Sequence, residues 1–312
     1  MKSYHDGKVL PYLGLVLGIL SLGFSAIFVQ LAQAPGTVLN FYRMGIAAVL
    51  LALPFGVQLK ARSAPLPGKA VRLAVLAGMV FAVDLVLWST GVNLSGATNP
   101  TLLANTAPIW VGLGSQIFLG ERRGTIFWVG LALALTGSAL ILGQDALQSA
   151  ELGLGSLLGL IGSFFYGGYF LLTQRGREGL NSLNFFWIVV ASATVTLLVF
   201  TLIFRHPLFG YSRNTYLNFI ALGVVVQVLG WLSINYAQGY LPAAIVAPTL
   251  LGQPVMTAIL SYLLLGEAFT ILQIGAGLIA ILGVYFVHRS KLSGFSSVNG
   301  QEGASTSEGK RC

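Results

Sequence analysis

Two stretches of this chain, 146 positions apart, carry one pattern: APIWVGLGSQIFLGE at 107–121 and QPVMTAILSYLLLGE at 253–267. In each, a proline inside an apolar run is followed eleven residues later by Leu-Gly-Glu, from Pro108 to Leu119-Gly120-Glu121 and from Pro254 to Leu265-Gly266-Glu267. Self-similarity at this spacing makes the fold two copies of one half. How the copies are oriented depends on the solvent around them and on how often each one crosses it.

The solvent is lipid. Of 312 residues, 55% are hydrophobic and 8% charged, with a mean hydropathy of +0.82. A soluble domain carries about 25% charged residues, so this chain cannot cover a water-facing surface. Its 39 glycines suit helices that approach closely through small residues. His5, His206 and His288 fall in or beside loops and tails, and the single cysteine, Cys312, is the last residue. That inventory holds no disulfide framework, zinc site or iron–sulfur site, and neither metal nor cofactor is expected. The net charge of +8 would suit nucleic acid, but no basic stripe interleaves with aromatics as such binding needs. The expected partners are the bilayer and a small-molecule substrate.

A span needs about 20 mostly apolar residues. The chain divides into ten: 10–33, 36–58, 70–92, 96–119, 125–143, 154–174, 183–204, 214–238, 242–265 and 270–288. The first is too long for a cleavable signal peptide and has no small-residue cleavage site. Residues 293–312 are polar, small and aperiodic, and are expected to form a disordered cytoplasmic tail. Links such as Ala34-Pro35 and Gly239-Tyr240-Leu241 force antiparallel neighbours. With the N-terminus inside, twelve basic residues face the cytoplasm: Lys2, Lys8, Lys60, Arg62, Lys69, Arg72, Arg122, Arg123, Arg175, Arg177, Arg289 and Lys291. Two, Arg205 and Arg213, face outward, beside the acidic Asp145, Glu151 and Glu267. The positive-inside rule then places both termini in the cytoplasm.

Five spans per half is an odd number, so the second half (154–288) enters the membrane from the side opposite to the first (10–143). The expected fold is an all-α integral membrane protein of two inverted five-helix repeats. Glu121 ends the fourth helix inside and Glu267 ends the ninth outside. Ala97 with Ala243, Gly137 with Gly283, and Leu39-Asn40-Phe41 with Leu183-Asn184-Phe185 extend the register.

This architecture, with a mid-helix proline and a terminal Leu-Gly-Glu in each half, resembles the drug/metabolite transporter superfamily, specifically its EamA-type members. Arg43 in LNFYRMGIAAVLLAL looks like that family's arginine in the second helix. Tyr240-Leu241-Pro242-Ala243-Ala244 is similar to its entry into the ninth. The resemblance covers about residues 10–288. One departure is GFSAIFVQLA in the first helix, where members often carry Trp-Gly-Ser. The resemblance implies a bacterial inner-membrane carrier, often an exporter of amino acids or small metabolites.

Arg43 and Asp84 are the charges well inside the spans. Arg43 lies about seven residues, roughly 10 Å, below the outer face, and Asp84 sits at a similar depth on the next helix. Each alone costs about 2.5–3.5 kcal/mol or more at the bilayer centre, so an intramembrane ion pair or a wet cavity is expected. Two readings stand: Asp84 exchanges a proton or Arg43 meets a substrate carboxylate as the carrier cycles, or the two form a permanent structural pair. The counterpart of Arg43 is Trp187, and Asp84 falls near Gly230; the repeat copies the scaffold but not the charges. Glu121 and Glu267 are read as helix-end fixtures, each after a helix-terminating glycine and before the next helix N-terminus.

Neutral polar residues near mid-membrane place the cavity: Gln30, Trp88, Asn105, Tyr166, Tyr169, Gln227, Trp231, Asn235 and Gln253. Each also has an ordinary reading as an interhelical contact. Pro108 and Pro254 are expected to break their helices and line the cavity, freeing the carbonyls of residues 104 and 250. Gly14/Gly18 and Gly155/Gly159 read as close helix contacts inside a monomer or weak dimer.

An intramembrane enzyme would need a nucleophile or metal that no core histidine or cysteine supplies. A channel would show acidic rings or a carbonyl filter. A receptor or assembly subunit remains open, as does a phosphate-sugar or other organic-anion carrier, although the latter wants several Lys or Arg in the spans. Neutral, zwitterionic or aromatic solutes fit better. Inversion makes a direct prediction: in a Cys312→Ser background, Glu121→Cys and Glu267→Cys react with an impermeant thiol reagent from opposite sides of the membrane. Labelling from one side would exclude it.

Overall fold

The computed structural model describes residues 9–95, 98–146, 153–265 and 270–305. Among them, ten helical stretches are long and apolar enough to cross a membrane. They are α1 (Val9–Val29), α2 (Gly36–Lys60), α3 (Gly68–Ser95), α4 (Asn99–Leu119), α5 (Thr125–Leu142), α6 (Leu154–Arg177), α7 (Ser182–Ile203), α8 (Arg213–Gln238), α9 (Ala243–Leu260) and α10 (Ile271–Ser290). No strand occurs among the described residues. The helix of α10 runs on to Ser305, where the sequence led us to expect a disordered tail from 293. No proline follows Pro254, so the backbone chemistry sets no stop there. Residues 306–312 lie outside the described set, as does Glu267.

Matching helices of the two halves run in opposite directions. Gly130 of α5 meets α10 at Gly283, where an added Cβ would stand 2.8 Å from the Gly283 carbonyl oxygen. Gly137 meets it earlier, with Ala276 O 2.6 Å from the same construction. The numbering rises along one helix as it falls along the other. The pair α2 and α7 behaves alike: Gly45 faces Thr194, Trp187 Nε1 donates to Ala48 O at 3.0 Å, and Asn181 Nδ2 donates to Gln58 Oε1 at 2.9 Å. Copies that cross antiparallel are inverted copies. The other contacts exchange accordingly. Gly14 and Gly18 of α1 press on Ser233, Gly230 and Ile234 of α8, while Gly155 and Gly159 of α6 press on Gly91 and Pro100. Both glycine pairs are thus spent inside the chain, where small residues let backbones touch.

Three spans are interrupted. The helix of α1 pauses at Phe24. In α4, Asn105-Thr106 separates Thr98–Ala104 from Ala107–Leu119, and in α9 a 3₁₀ turn, Leu250–Gly252, separates Ala243–Thr249 from Gln253–Leu265. The last two breaks fall at equivalent places in the repeat. Pro108 and Pro254 are both buried and occupy the second position of the segment after each break. A proline costs little there, because a first-turn N–H has no intrahelical partner. The expectation of a free carbonyl at 250 needs correction: Leu250 O accepts the Gln253 N–H in the tightened turn. In α8 a π-helical stretch, Leu222–Trp231, replaces α geometry without any proline. Such segments concentrate at functional sites.

The copies differ in burial. Every residue from Leu241 to Leu251 in α9 is buried, whereas of the matching 99–105 in α4 only Pro100 is, the rest being half-buried. The contrast continues in α6, where Tyr169, Phe170, Thr173 and Gln174 are buried, against half-exposed Ser25, Phe28 and Val29 in α1. The bundle is therefore packed shut at the end bearing Lys60 and Arg177 and looser at the end bearing Gly36 and Arg213. Gly137→Ala should lower the thermal midpoint in detergent through overpacking of about 1–3 kcal/mol. Gly56→Ala, which meets nothing within 4 Å, should leave it unchanged or raise it.

Candidate functional site

Five aromatic rings from three helices form one cluster at the closed side of mid-membrane: Phe81 (α3), Tyr166, Tyr169 and Phe170 (α6), and Trp231 (α8). Phe81 lies 4.5 Å from Tyr169 and 5.0 Å from Trp231; Tyr166 lies 5.0 Å from Phe170 and 5.9 Å from Trp231. These separations suit offset and edge-on contacts. The sequence singled out Tyr166, Tyr169 and Trp231, whereas Phe81 and Phe170 were indistinguishable from lipid-facing residues. Trp231 Nε1 and Gln227 Nε2 are buried without a hydrogen-bonding partner, a state that buried polar atoms seldom keep unless water or a ligand serves them. Both lie in the π-helical stretch of α8.

Asp84 stands one turn beyond Phe81, 6% exposed. A Cβ on Gly162 would lie 3.2 Å from its Oδ1, so glycine at 162 is what leaves room for the carboxylate between α3 and α6. Among the described residues Asp84 takes part in no hydrogen bond and in no ion pair within 4.0 Å. Arg43 and Tyr166 are the groups near enough to interact with it electrostatically.

The contact ion pair expected between Arg43 and Asp84 is not formed. Arg43, 5% exposed, instead donates from Nε to Oε1 of Gln227 at 2.8 Å, tying α2 to α8. Matched depth on consecutive helices does not set the direction in which each side chain leaves its helix. Here Gln227 offers the nearer acceptor.

The remaining candidates separate into two groups. Asn235 is fully buried beside Tyr169, with Thr173 at the same hydroxyl, and belongs with the cluster. Trp88 is half-buried one turn beyond Asp84, its Nε1 3.0 Å from Thr101 Oγ1 on α4. Asn105 points elsewhere, to Ser138 Oγ of α5 at 3.4 Å. Gln253 Nε2 donates to Leu22 O at 3.3 Å, and Thr257 Oγ1 to Gly23 O at 3.3 Å. These two satisfy carbonyls at the α1 break, which lipid could not do. The side chain of Gln30 lies outside the described set. Overlooked in the sequence is a polar trio at the α4 break: Trp110 Nε1 and Thr106 Oγ1 both reach Ser163 Oγ, at 2.8 and 3.0 Å. His288, the last residue of the tenth expected span, is on α10 with its ring nitrogen 2.8 Å from Thr249 Oγ1. No group of three or more His, Cys, Asp or Glu that could hold a metal occurs among the described residues.

The sequence pattern of the EamA-like transporter family matches residues 9–143 and 153–289. The chain belongs to the EamA-like transporter family. It is a multi-pass membrane transporter, and the family is not one of enzymes. It is 26% identical over 277 residues to the uncharacterized transporter YdfC of Bacillus subtilis, covering 88% of this chain and 89% of that one. A probable terminal-alkyne amino-acid exporter of Streptantibioticus cattleyicolor is 26% identical, covering 86% and 89%. The pseudopaline exporter CntI of Pseudomonas aeruginosa is 24% identical, covering 89% and 96%. A solved crystal structure superposes with a TM-score of 0.73 at 17% identity, covering 89% of this chain and 96% of its own, and so shares the fold.

Within this EamA-type scaffold the Arg43–Gln227 bond is the testable element. Gln227→Leu leaves a buried guanidinium without its acceptor and should cost about 1.5–3 kcal/mol, the range for hydrogen bonds to charged groups. Thermal unfolding in detergent reads this, and Gln227→Glu, which restores an acceptor, should recover most of it.

Proposed function

We propose that this transporter exports small zwitterionic, neutral or aromatic metabolites such as amino acids by alternating access, across a cell (inner) membrane with both termini cytoplasmic. The observation that carries the reading is Asp84: a buried carboxylate with no hydrogen bond among the described residues, at the rim of an aromatic cluster and near Arg43. Such a carboxylate needs a cationic or protic partner that comes and goes. A substrate ammonium or a proton meets that need, and the ring faces of Tyr166 and Trp231 suit an apolar or aromatic side chain.

Alternating access draws support from the inverted halves and their unequal burial, since in such a fold the open end and the closed end exchange roles. The Lys- and Arg-rich end is the closed one, so by the positive-inside reading the looser end faces outward. Export is supported by two relatives named as exporters. An organic-anion carrier is disfavoured because the guanidinium of Arg43 is buried and already engaged by Gln227.

Proteoliposomes with radiolabelled amino acids and aromatic metabolites, with and without a pH step, test this. Asp84→Asn should slow transport at least about tenfold, as loss of a charge-assisted contact worth ~1.5–3 kcal/mol requires, and should flatten its dependence on the pH step. Unchanged transport and pH dependence would remove Asp84 from the mechanism.

A further inference from the structure

The closed end is held by a chain of polar contacts that joins both halves. The helix of α4 ends at Gly120, in the left-handed region at φ +69, and the Glu121 N–H folds back on Ser115 O at 3.0 Å. That closure favours glycine, and the Glu121 side chain that follows it reaches α6. Glu121 Oε1 accepts from Gln174 Nε2 at 2.7 Å, and Gln174 Oε1 accepts from the Ala243 N–H at 2.7 Å, where α9 begins. Arg123 pairs with the other carboxylate oxygen and lies over the Phe127 ring. Glu121 thus sits at the helix end, as the sequence places it, and its carboxylate in addition bonds Gln174 of α6, which in turn reaches the start of α9.

We propose that Glu121 and Gln174 form the latch that keeps this end shut during the transport cycle, and that they separate when it opens. The inference rests on the alternating-access reading above. Three observations carry it. The chain of contacts crosses from the first half to the second, so relative motion of α4 against α6 and α9 must break it. Gln174 is 8% exposed, and a carboxylate donating charge to a buried amide strengthens both bonds in the chain. The segment it holds, Leu241–Leu251, is the one buried throughout where its twin is not. Leu-Gly-Glu recurs at 265–267, and Gln30 matches Gln174 in the register that pairs Asn40 with Asn184. This recurrence, read from sequence alone since those side chains are not described, marks the Glu–Gln pair as part of the repeated unit.

Reporter cysteines in lipid nanodiscs, where both ends meet a water-soluble maleimide, test the latch in a Cys312→Ser background. Ala247→Cys reports the closed end and Ala104→Cys the open one. Adding Glu121→Ala or Gln174→Leu should raise labelling at 247 about tenfold and slow it at 104, as expected for loss of a hydrogen bond to a charged group. Glu121→Gln should give a smaller shift. The exchange Glu121→Gln with Gln174→Glu lets position 121 donate and position 174 accept from both sides, and should restore slow labelling at 247. Glu178→Ala, which removes only the exposed pair with Arg175, should change neither reporter. Unchanged labelling at 247 overturns the latch. So does a rise at 247 with no fall at 104, which would mean local loosening. Reciprocal labelling in a protein that moves no solute would keep the latch and overturn the proposed function instead.

Discussion

The lipid-embedded part of this fold depends on one constraint: a peptide group at membrane depth must find its hydrogen bond inside the protein. Helices satisfy it along their length, so the informative places are where they do not. At the α1 break, Gln253 and Thr257 of α9 supply donors to Leu22 and Gly23. At the α4 break, Thr106 answers Leu103 O with both its N–H and its hydroxyl. At the α9 break the chain tightens into a 3₁₀ turn that answers itself. Each interruption therefore needs protein around it.

The second organising fact is that a symmetric scaffold is held in an asymmetric state. Twin helices cross antiparallel at glycine, yet the first turns of α9 are buried where the matching turns of α4 are half-buried. Polar ties at the closed end reinforce the difference: Gln174 reaches the start of α9, and Arg177 Nε reaches Asn235 O near the end of α8 at 3.1 Å. Both come from the last turns of α6, which ties α8 and α9 within the second half, while its Gln174 also meets Glu121 of the first. The opposite end of α6 meets α3 and carries Gly162, the glycine that makes room for Asp84.

Residue by residue, depth was readable and direction was not. Arg43 and Asp84 stand out because any charge in an apolar run does, and their depth follows from counting residues. Whether they touch depends on how α2, α3 and α8 are turned about their axes, and the π-helical stretch of α8 brings Gln227 to Arg43. The same limit applies to Asn105 and Gln253, correctly seen as polar residues inside the membrane but aimed at α5 and α1. Phe81 and Phe170 were invisible for the opposite reason: phenylalanine in a span faces lipid as readily as a pocket. Glu121 was placed correctly at a helix end, yet its partner, 53 positions away, has no signature in the local pattern.

By itself the sequence determined the solvent, the number of spans, the pairing of the halves and, through odd crossing number, their inversion. These follow from hydropathy and spacing, which are local or periodic properties of a chain. Only the tertiary structure decided which polar groups meet, which end is packed shut, and that Asp84 has no hydrogen bond or ion pair among the described residues. Those outcomes depend on helix rotation and crossing, set by close contacts at Gly137, Gly155, Gly162 and Gly283 between helices far apart in sequence.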